Sequence, residues 1–477
     1  MTATTDPLQH KLSIKEKIAY GFGDAGCSMY WKLFSMYMVY FYTDVLGITA
    51  AAAGTLLLVT RIWDTTNDPI MGLIADRTTS RMGKFRPYLI YASIPMAAIG
   101  VLTFTAPDMG MTGKLVYAYA TYTIMMMAYT VVNVPYGALL GVMSPNPKER
   151  TQLGSYRMVF AFAGSMLVLG IAEPLVNLFS SMEIAGDNGE AFGWQMTMIV
   201  IGTLLVIFLL FTFFGTKERI EPPKERNLLK EDLKDLINNK PWLLLLGAGI
   251  FVLIFNSIRD GSIIYYFQNY VDTNGTEINL GFIDMTYPLS SLFMMVGQGA
   301  NLVGVIFATL AALYVGRKYA YIGAMAIAIT FSLLFALLGP TNILLMFTFQ
   351  VIISFCAGLV LPLLLSMFGD AADYNEWKNG RRATGLVFSS YTTSQKLGWT
   401  LGTAFIGYLL AWFGYEAGVE QTEATLTGIK SMMSFFPAIG AFISATFIFF
   451  YKLDDDTMKT VANELKEVRD RREQEEE

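Results

Sequence analysis

Two aspartates one helical turn apart, inside a run too apolar for a surface loop, are the first residues here whose types and spacing could do chemistry. The stretch is RIWDTTNDPIMG, residues 61–72. Arg61, Asp64, Asn67 and Asp68 fall at i, i+3, i+6 and i+7, which puts them on one face of a helix. Asp64 and Asp68 are then about 6 Å apart along the axis. A charge at mid-bilayer costs about 2.5–3.5 kcal/mol on insertion scales, so each one there calls for a reason. Two carboxylates and an amide oxygen facing a cavity make a hard-oxygen site suited to a small cation such as Na⁺ or H⁺. Pro69 follows directly and removes a backbone donor, so nearby carbonyls are freed to help. The plainer alternative is that the acids pair with Arg61 and other bases to lock helices together. Two acids and an amide on one stripe exceed what one lock requires.

Other charges also lie in apolar runs: Lys32, Arg157, Glu173, Arg259, Asp260 and Lys396. Arg259 and Asp260 are adjacent, so they point to different sides of a helix and need separate partners. Lys396 stands in TTSQKLGW, a small and polar stretch that reads as cavity lining, with the acidic stripe around Asp64 as its expected partner. Sugar sites combine polar groups with aromatic faces. The candidates are Tyr30 and Trp31 beside Lys32, Tyr129 and Tyr136 around Asn133, and Trp399 near Lys396. For any single aromatic, core packing or an interfacial belt is the competing role.

Holding such charges requires membrane-crossing helices. The chain has 477 residues, of which 54% are hydrophobic and 15% charged, where soluble domains carry about 25% charged residues. Its apolar residues come in runs of about 20, the length that crosses the hydrocarbon core as helix. Spans are expected near 27–47, 49–74, 87–107, 113–143, 152–180, 193–215, 241–270, 286–315, 319–338, 341–370, 383–413 and 429–451. Lys and Arg then collect on alternate connections. One side holds Lys11, Lys15, Lys17, Arg77, Arg81, Lys84, Arg86, Lys148 and Arg150, seven more in 216–240, then Arg317, Lys318, Lys378, Arg381, Arg382 and the C-terminal tail. The other side holds one, Lys114. By the positive-inside rule the rich side is cytoplasmic.

The expected fold is an all-α membrane protein of about twelve transmembrane helices in two six-helix halves, with both termini cytoplasmic. Residues 1–215 form the first bundle, 216–240 a cytoplasmic middle loop, 241–452 the second bundle and 453–477 a cytoplasmic tail. Basic turns at matching places, DRTTSRMGKFRPY after the second span and GRKYAY after the eighth, fit a two-half carrier. Cys27, Cys356 and His10 are too few for a disulfide framework, a zinc site or a histidine cluster. No GxxxxGK[ST] loop is present, so ATP hydrolysis within this chain is not expected. The first 25 residues show no cleavable signal, so the first span is expected to direct its own insertion.

Seven stretches, in this order, resemble the glycoside–pentoside–hexuronide:cation symporters of the major facilitator superfamily. They are YGFGD (20–24), FYTDVLG (41–47), RIWDTTNDPIMG (61–72), GKFRPY (83–88), NVPYGAL (133–139), ERTQL (149–153) and DAADYNEWKNGRR (370–382). The resemblance implies a cation site of Asp64, Asn67, Asp68 and Thr130, binding Na⁺, with Li⁺ or H⁺ as alternatives. It also implies Arg157 as a sugar contact and Lys396 as the lysine of the eleventh span. Where galactoside-carrying members have acids on the first and fourth spans, this chain has the neutral Ser28 and Asn133. Lys32 lies one turn beyond Ser28. With Arg157 it is placed to meet a carboxylate, which makes an acidic sugar (a uronide) a candidate substrate. Tyr129, Lys396 and Trp399 complete the expected substrate lining.

The expected activity is therefore symport and not enzymatic turnover. A monomer in the bilayer would bind a sugar and a coupling cation, with no other cofactor and no nucleic acid. An H⁺-coupled pentoside or glucoside carrier, or a lysolipid carrier on the same scaffold, are the alternatives. Arg77, Arg81, Arg150, Asp370, Asp373, Glu376, Arg381 and Arg382 are expected to form salt bridges that close the cytoplasmic side.

Overall fold

In the computed structural model, helices begin where the sequence supplies a cap and end where it supplies a turn. The structure describes residues 11–219, 239–271, 278–279, 286–379 and 384–465, apart from 79, 145, 454–456, 459 and 462. The Ser13 hydroxyl accepts the Glu16 N–H at 3.2 Å and starts α1, Ile14–Tyr40. That is one half of a capping box. The other half is not made, because Glu16 instead accepts two N–H groups of Arg219, at 2.6 and 3.1 Å. Helix α1 therefore starts well before residue 27, since caps and not hydropathy set helix ends.

The FYTDVLG stretch ends α1. A π turn, Phe41–Val45, is followed by Gly47 at φ 78°, a left-handed conformation that costs any other residue more. The Thr49 side chain then caps α2, Ala50–Arg77. The third expected span is broken at Ala92 into α3, Arg86–Tyr91, and α4, Ser93–Thr103. Next come α5, Met111–Met143, α6, Pro147–Ser180, and α7, Gly189–Gly215. The later helices are α8, Lys240–Asn269, α9, Leu289–Val315, α10, Arg317–Phe335, α11, Ile343–Asn379, and α12, Thr384–Trp412. The last expected span is broken at Ser434 into α13, Glu423–Met433, and α14, Phe435–Phe450. A two-residue antiparallel ladder, Ile278–Asn279 against Thr286–Tyr287, is the only β pairing among the described residues.

Among the described residues, eight helices are long and apolar enough to cross a membrane, counting Glu423–Phe450 as one. The chain forms two compact units. The first takes Met1–Lys224, Thr273–Met295 and Leu410–Gln421. The second takes Glu225–Asp272, Val296–Leu409 and Thr422–Glu477.

In the first unit α1 lies along α6, and Gly164 makes that approach possible. A Cβ built there would sit 2.2 Å from the Ala25 carbonyl oxygen, so any side chain would wedge the two helices apart. The same face of α6, two turns earlier, presents Arg157 to α1. Elsewhere in this unit Glu218 accepts the backbone N–H groups of Lys84, Phe85 and Arg86 at 2.7, 2.8 and 2.9 Å. A carboxylate there satisfies the orphan donors that open α3. GKFRPY is thus a helix start clasped to the end of α7, where Phe213 accepts from the Arg86 guanidinium at 2.7 Å.

The second unit packs α8, α10, α11 and α14 around Leu245, Tyr321, Met325, Leu363 and Phe368. Arg259 of α8 is 3% exposed yet fully engaged. It donates twice to Gln350 Oε1, at 3.2 and 2.7 Å, and once to the Met433 carbonyl, and its guanidinium lies over Phe335. The Met433 carbonyl is left over by the break between α13 and α14. Arg259 therefore has a structural partner set.

Candidate functional site

The acidic stripe folds as its spacing requires, because α2 runs unbroken through residues 61–72. Asp64 is 3% exposed and Arg61 6% exposed, while Asn67 and Asp68 are half-buried. Helix α5 brings Thr130, 1% exposed, against both acids. Its hydroxyl is 2.9 Å from Asp64 Oδ1 and 3.2 Å from Asp68 Oδ1. The two carboxylates thus share one hydroxyl. A small cation between the acids would find at least three oxygens converging on it. Asn67, also on α2, makes no hydrogen bond with a described residue, which leaves its amide oxygen available as a further ligand.

Arg61 also reaches the aromatic residues beside this cluster. Its Nε donates to Tyr122 Oη at 3.0 Å, and its guanidinium carbon is 4.0 Å from the Trp31 ring centroid. Trp31 in turn lies 5.7 Å from Tyr129. Cation, indole and phenol thus form one layered wall of α1, α2 and α5. Lys32, Ser28 and Asn133 are half-buried in the same unit. Lys396 and Trp399 belong to α12 in the second unit, where Trp399 packs partly against the core.

Arg157 meets a residue that was not among the expected site residues. Its Nε is 3.2 Å from Asp24 Oδ2, with the Arg157 side chain 34% exposed and that of Asp24 9% exposed. The guanidinium also lies 5.4 Å from the Tyr136 ring centroid. Tyr136 stacks on Tyr20 at 4.9 Å and donates to the Tyr20 carbonyl at 2.8 Å. YGFGD and NVPYGAL therefore meet around Arg157. Asp24 lies three residues ahead of the expected first span, 27–47, and enters it only because α1 starts at Ile14; the signal available in the sequence was the YGFGD stretch itself.

Glu173, late in α6, is 8% exposed and accepts hydrogen bonds from Tyr37, at 3.1 Å, and from Ser290. Its partners in the first unit are hydroxyls.

Of the charges expected to close the cytoplasmic side, Asp370 pairs with Arg317 at 2.6 Å. Arg77 and Arg81 are exposed, Arg150 is half-buried, and none of the three forms an ion pair with a described residue. Asp373 is half-buried and Glu376 buried. Arg381 and Arg382 lie outside the described residues. The ion pairs found near the start of the chain are others, Glu16–Arg219 and Lys17–Glu149.

Glu149, ahead of the fifth span, accepts from Lys17 at 2.8 Å and from the Leu12 N–H at 3.0 Å. Burial raises its pKa, but the Lys17 and Leu12 hydrogen bonds and the charges of Lys17 and Lys11 outweigh burial and hold it below the ordinary carboxylate value. A lowered folded pKa contributes stability above the unfolded value, about 4.3 for Glu, that is lost as pH falls through the folded one. Thermal melts of wild type and Glu149→Gln should therefore differ by a constant amount from neutral pH down to about pH 5. The difference should narrow as pH falls below the unfolded value of about 4.3. A gap that widened on acidification would contradict this.

Against known proteins, a family model described as "MFS/sugar transport protein" matches residues 19–455. The "Inner membrane symporter YicJ" of Escherichia coli (strain K12) is 37% identical over 456 residues, covering 95% of each chain. The "Putative glycoside/cation symporter YagG" of the same organism is 36% identical over 467 residues, again covering 95% of each. Among solved structures, a D-xylose-proton symporter superposes with a TM-score of 0.63 at 12% identity, covering 92% of this chain and 98% of that one. At that identity the likeness shows the fold alone.

Proposed function

Because the chain belongs to the family of MFS/sugar transport proteins, we propose that it is an inner-membrane symporter carrying a sugar glycoside or oligosaccharide with a cation. It is a transporter and not an enzyme. The observation that carries the reading is the sharing of the Thr130 hydroxyl by Asp64 and Asp68. Na⁺ is our choice of coupling cation, held by Asp64, Asn67, Asp68 and Thr130, with H⁺ and Li⁺ as alternatives. Loading would neutralise the paired acids, and the carrier would then reorient by alternating access with sugar bound.

On this reading α3 with α4 and α13 with α14 would each be a single crossing, giving twelve passages. Eight meet the length and apolarity of a span. Three of the other four, α1, α2 and α12, carry Asp24 and Lys32, the acidic stripe, and Lys396, so their charges explain their lower apolarity. An even count puts both termini on one side, and the Lys and Arg distribution makes that side cytoplasmic. Residues 1–215 and 241–452 are the two halves of this scheme.

Within the first unit the sugar would lie against the Trp31–Tyr129 wall, with Ser28, Lys32, Asn133 and Arg157 as further lining. An acidic sugar would call on the positive charges of Lys32 and Arg157. Asp24 already answers Arg157, so the acidic reading rests on Lys32 and a neutral glycoside comes first. Proteoliposomes carrying the purified protein test this. Under an inward Na⁺ gradient a neutral xyloside or glucoside should accumulate, and excess glucuronide should not compete. Competition by glucuronide would replace the neutral substrate with an acidic one. Lysolipid uptake without sugar accumulation under a Na⁺ or H⁺ gradient would sink the proposal.

A further inference from the structure

We propose that a basic cavity in the second unit, lined by none of the candidate cation or sugar residues, binds the phosphate of an anionic phospholipid. The cavity, about 540 Å³, is formed by the start of α8, the end of α11 and the end of α14. Lys240, Lys378 and Lys452 line it, and all three are exposed. None of these ammonium groups makes an ion pair or hydrogen bond with a described residue. Their neighbour Lys318 is different: it donates to the Tyr451 carbonyl at 2.6 Å and lies over the Phe449 ring. Three like charges around one concavity repel one another, and a phosphate oxyanion among them turns that repulsion into attraction. Basic pockets between membrane helices hold lipid headgroups by this means.

The apolar part of the cavity chooses a lipid over free phosphate. Pro241, Leu244, Phe450 and Leu453 complete its wall. Above it α14 carries a stripe at helical spacing, Phe435, Ile439, Phe442 and Phe449, exposed by 52%, 41%, 63% and 64%. An acyl chain lying on that stripe would lead directly to a headgroup among the lysines. Inorganic phosphate would gain nothing from it. On the topology proposed above, the cavity opens at the cytoplasmic leaflet. Binding itself requires neither that topology nor transport, so failure of one reading leaves the other standing.

The test titrates the purified full chain in neutral detergent with phosphatidylglycerol, phosphatidylcholine or inorganic phosphate, reading bound lipid by native mass spectrometry. Phosphatidylglycerol should bind saturably and resist displacement by millimolar phosphate. Each Lys→Gln change at 240, 378 and 452 should weaken it about fivefold, and the triple variant about a hundredfold. The triple Lys→Arg variant should retain binding, which separates loss of charge from loss of fold. Asp454, Asp455 and Asp456 follow Leu453 in the sequence and lie outside the described residues. Changing them to Asn should leave binding equal or stronger. Undiminished phosphatidylglycerol binding by the triple Gln variant would overturn the proposal, as would displacement by inorganic phosphate alone.

Discussion

Asp64→Asn is expected to abolish cation-driven sugar accumulation while leaving a folded carrier. Asn keeps the shape and can still accept from Thr130, now 2.9 Å from Asp64 Oδ1, so the packing of α2 on α5 survives. What is lost is one of two negative charges meeting the cation. A hydrogen bond to a charged group contributes about 1.5–3 kcal/mol, and a metal ligand of full charge at least as much. Cation affinity should therefore fall by about 10- to 150-fold. Uptake measured against Na⁺ concentration should show this as a lost or far-shifted activation, with counterflow exchange of sugar retained. Asp68→Asn should act in the same direction. Thr130→Val removes only a neutral ligand, so its effect should be about tenfold or less. If Asp64→Asn left the Na⁺ activation curve in place, the acids would be a structural lock.

Asp24→Asn is expected to be the most damaging single change outside that site. It leaves the Arg157 guanidinium without its anion, on a helix face that α1 covers. Breaking a buried pair from one side costs about 3–5 kcal/mol. With the Arg157 side chain 34% exposed, the lower end of that range, about 3 kcal/mol, is the expectation. The midpoint of thermal inactivation in detergent should drop by several degrees. Asp24→Asn/Arg157→Gln should recover part of the loss, because the uncompensated charge goes with its partner. A double-mutant cycle that showed no coupling would mean solvent already screens the pair. The single variant has a second readout: with Arg157 unanswered, glucuronide competition should increase.

Much of this was legible because charge in an apolar run is expensive and therefore conspicuous. The stripe Arg61–Asp64–Asn67–Asp68 could be read from spacing alone, and its helix is continuous. The resemblance supplied Thr130, which no pattern within α5 marks out. The partner of Arg157 was harder, since Asp24 and Arg157 are brought together by the close approach of α1 and α6 at Gly164. That contact depends on a missing side chain and on two helices far apart in sequence. Helix ends were also poorly read, because hydropathy is blind to Ser13 as a cap. The same holds for Glu218, a polar-loop residue whose backbone contacts shape GKFRPY. Arg259 looked like an isolated membrane charge. Its reason is a carbonyl exposed by the break between α13 and α14, and apolar runs do not announce such breaks. Which acid pairs with which base in the basic connections was not legible: Asp370 pairs with Arg317, which was not among the residues expected to close that side.

Whether Asp64 and Asp68 couple a cation to sugar is tested most directly by sugar-evoked Na⁺ entry into proteoliposomes with no imposed gradient. Adding the transported glycoside should draw Na⁺ inward in fixed ratio to sugar, and Asp64→Asn should remove that Na⁺ entry while sugar still equilibrates. Sugar entry in the wild-type protein without accompanying Na⁺ or H⁺, or undiminished cation entry in Asp64→Asn, would contradict the account.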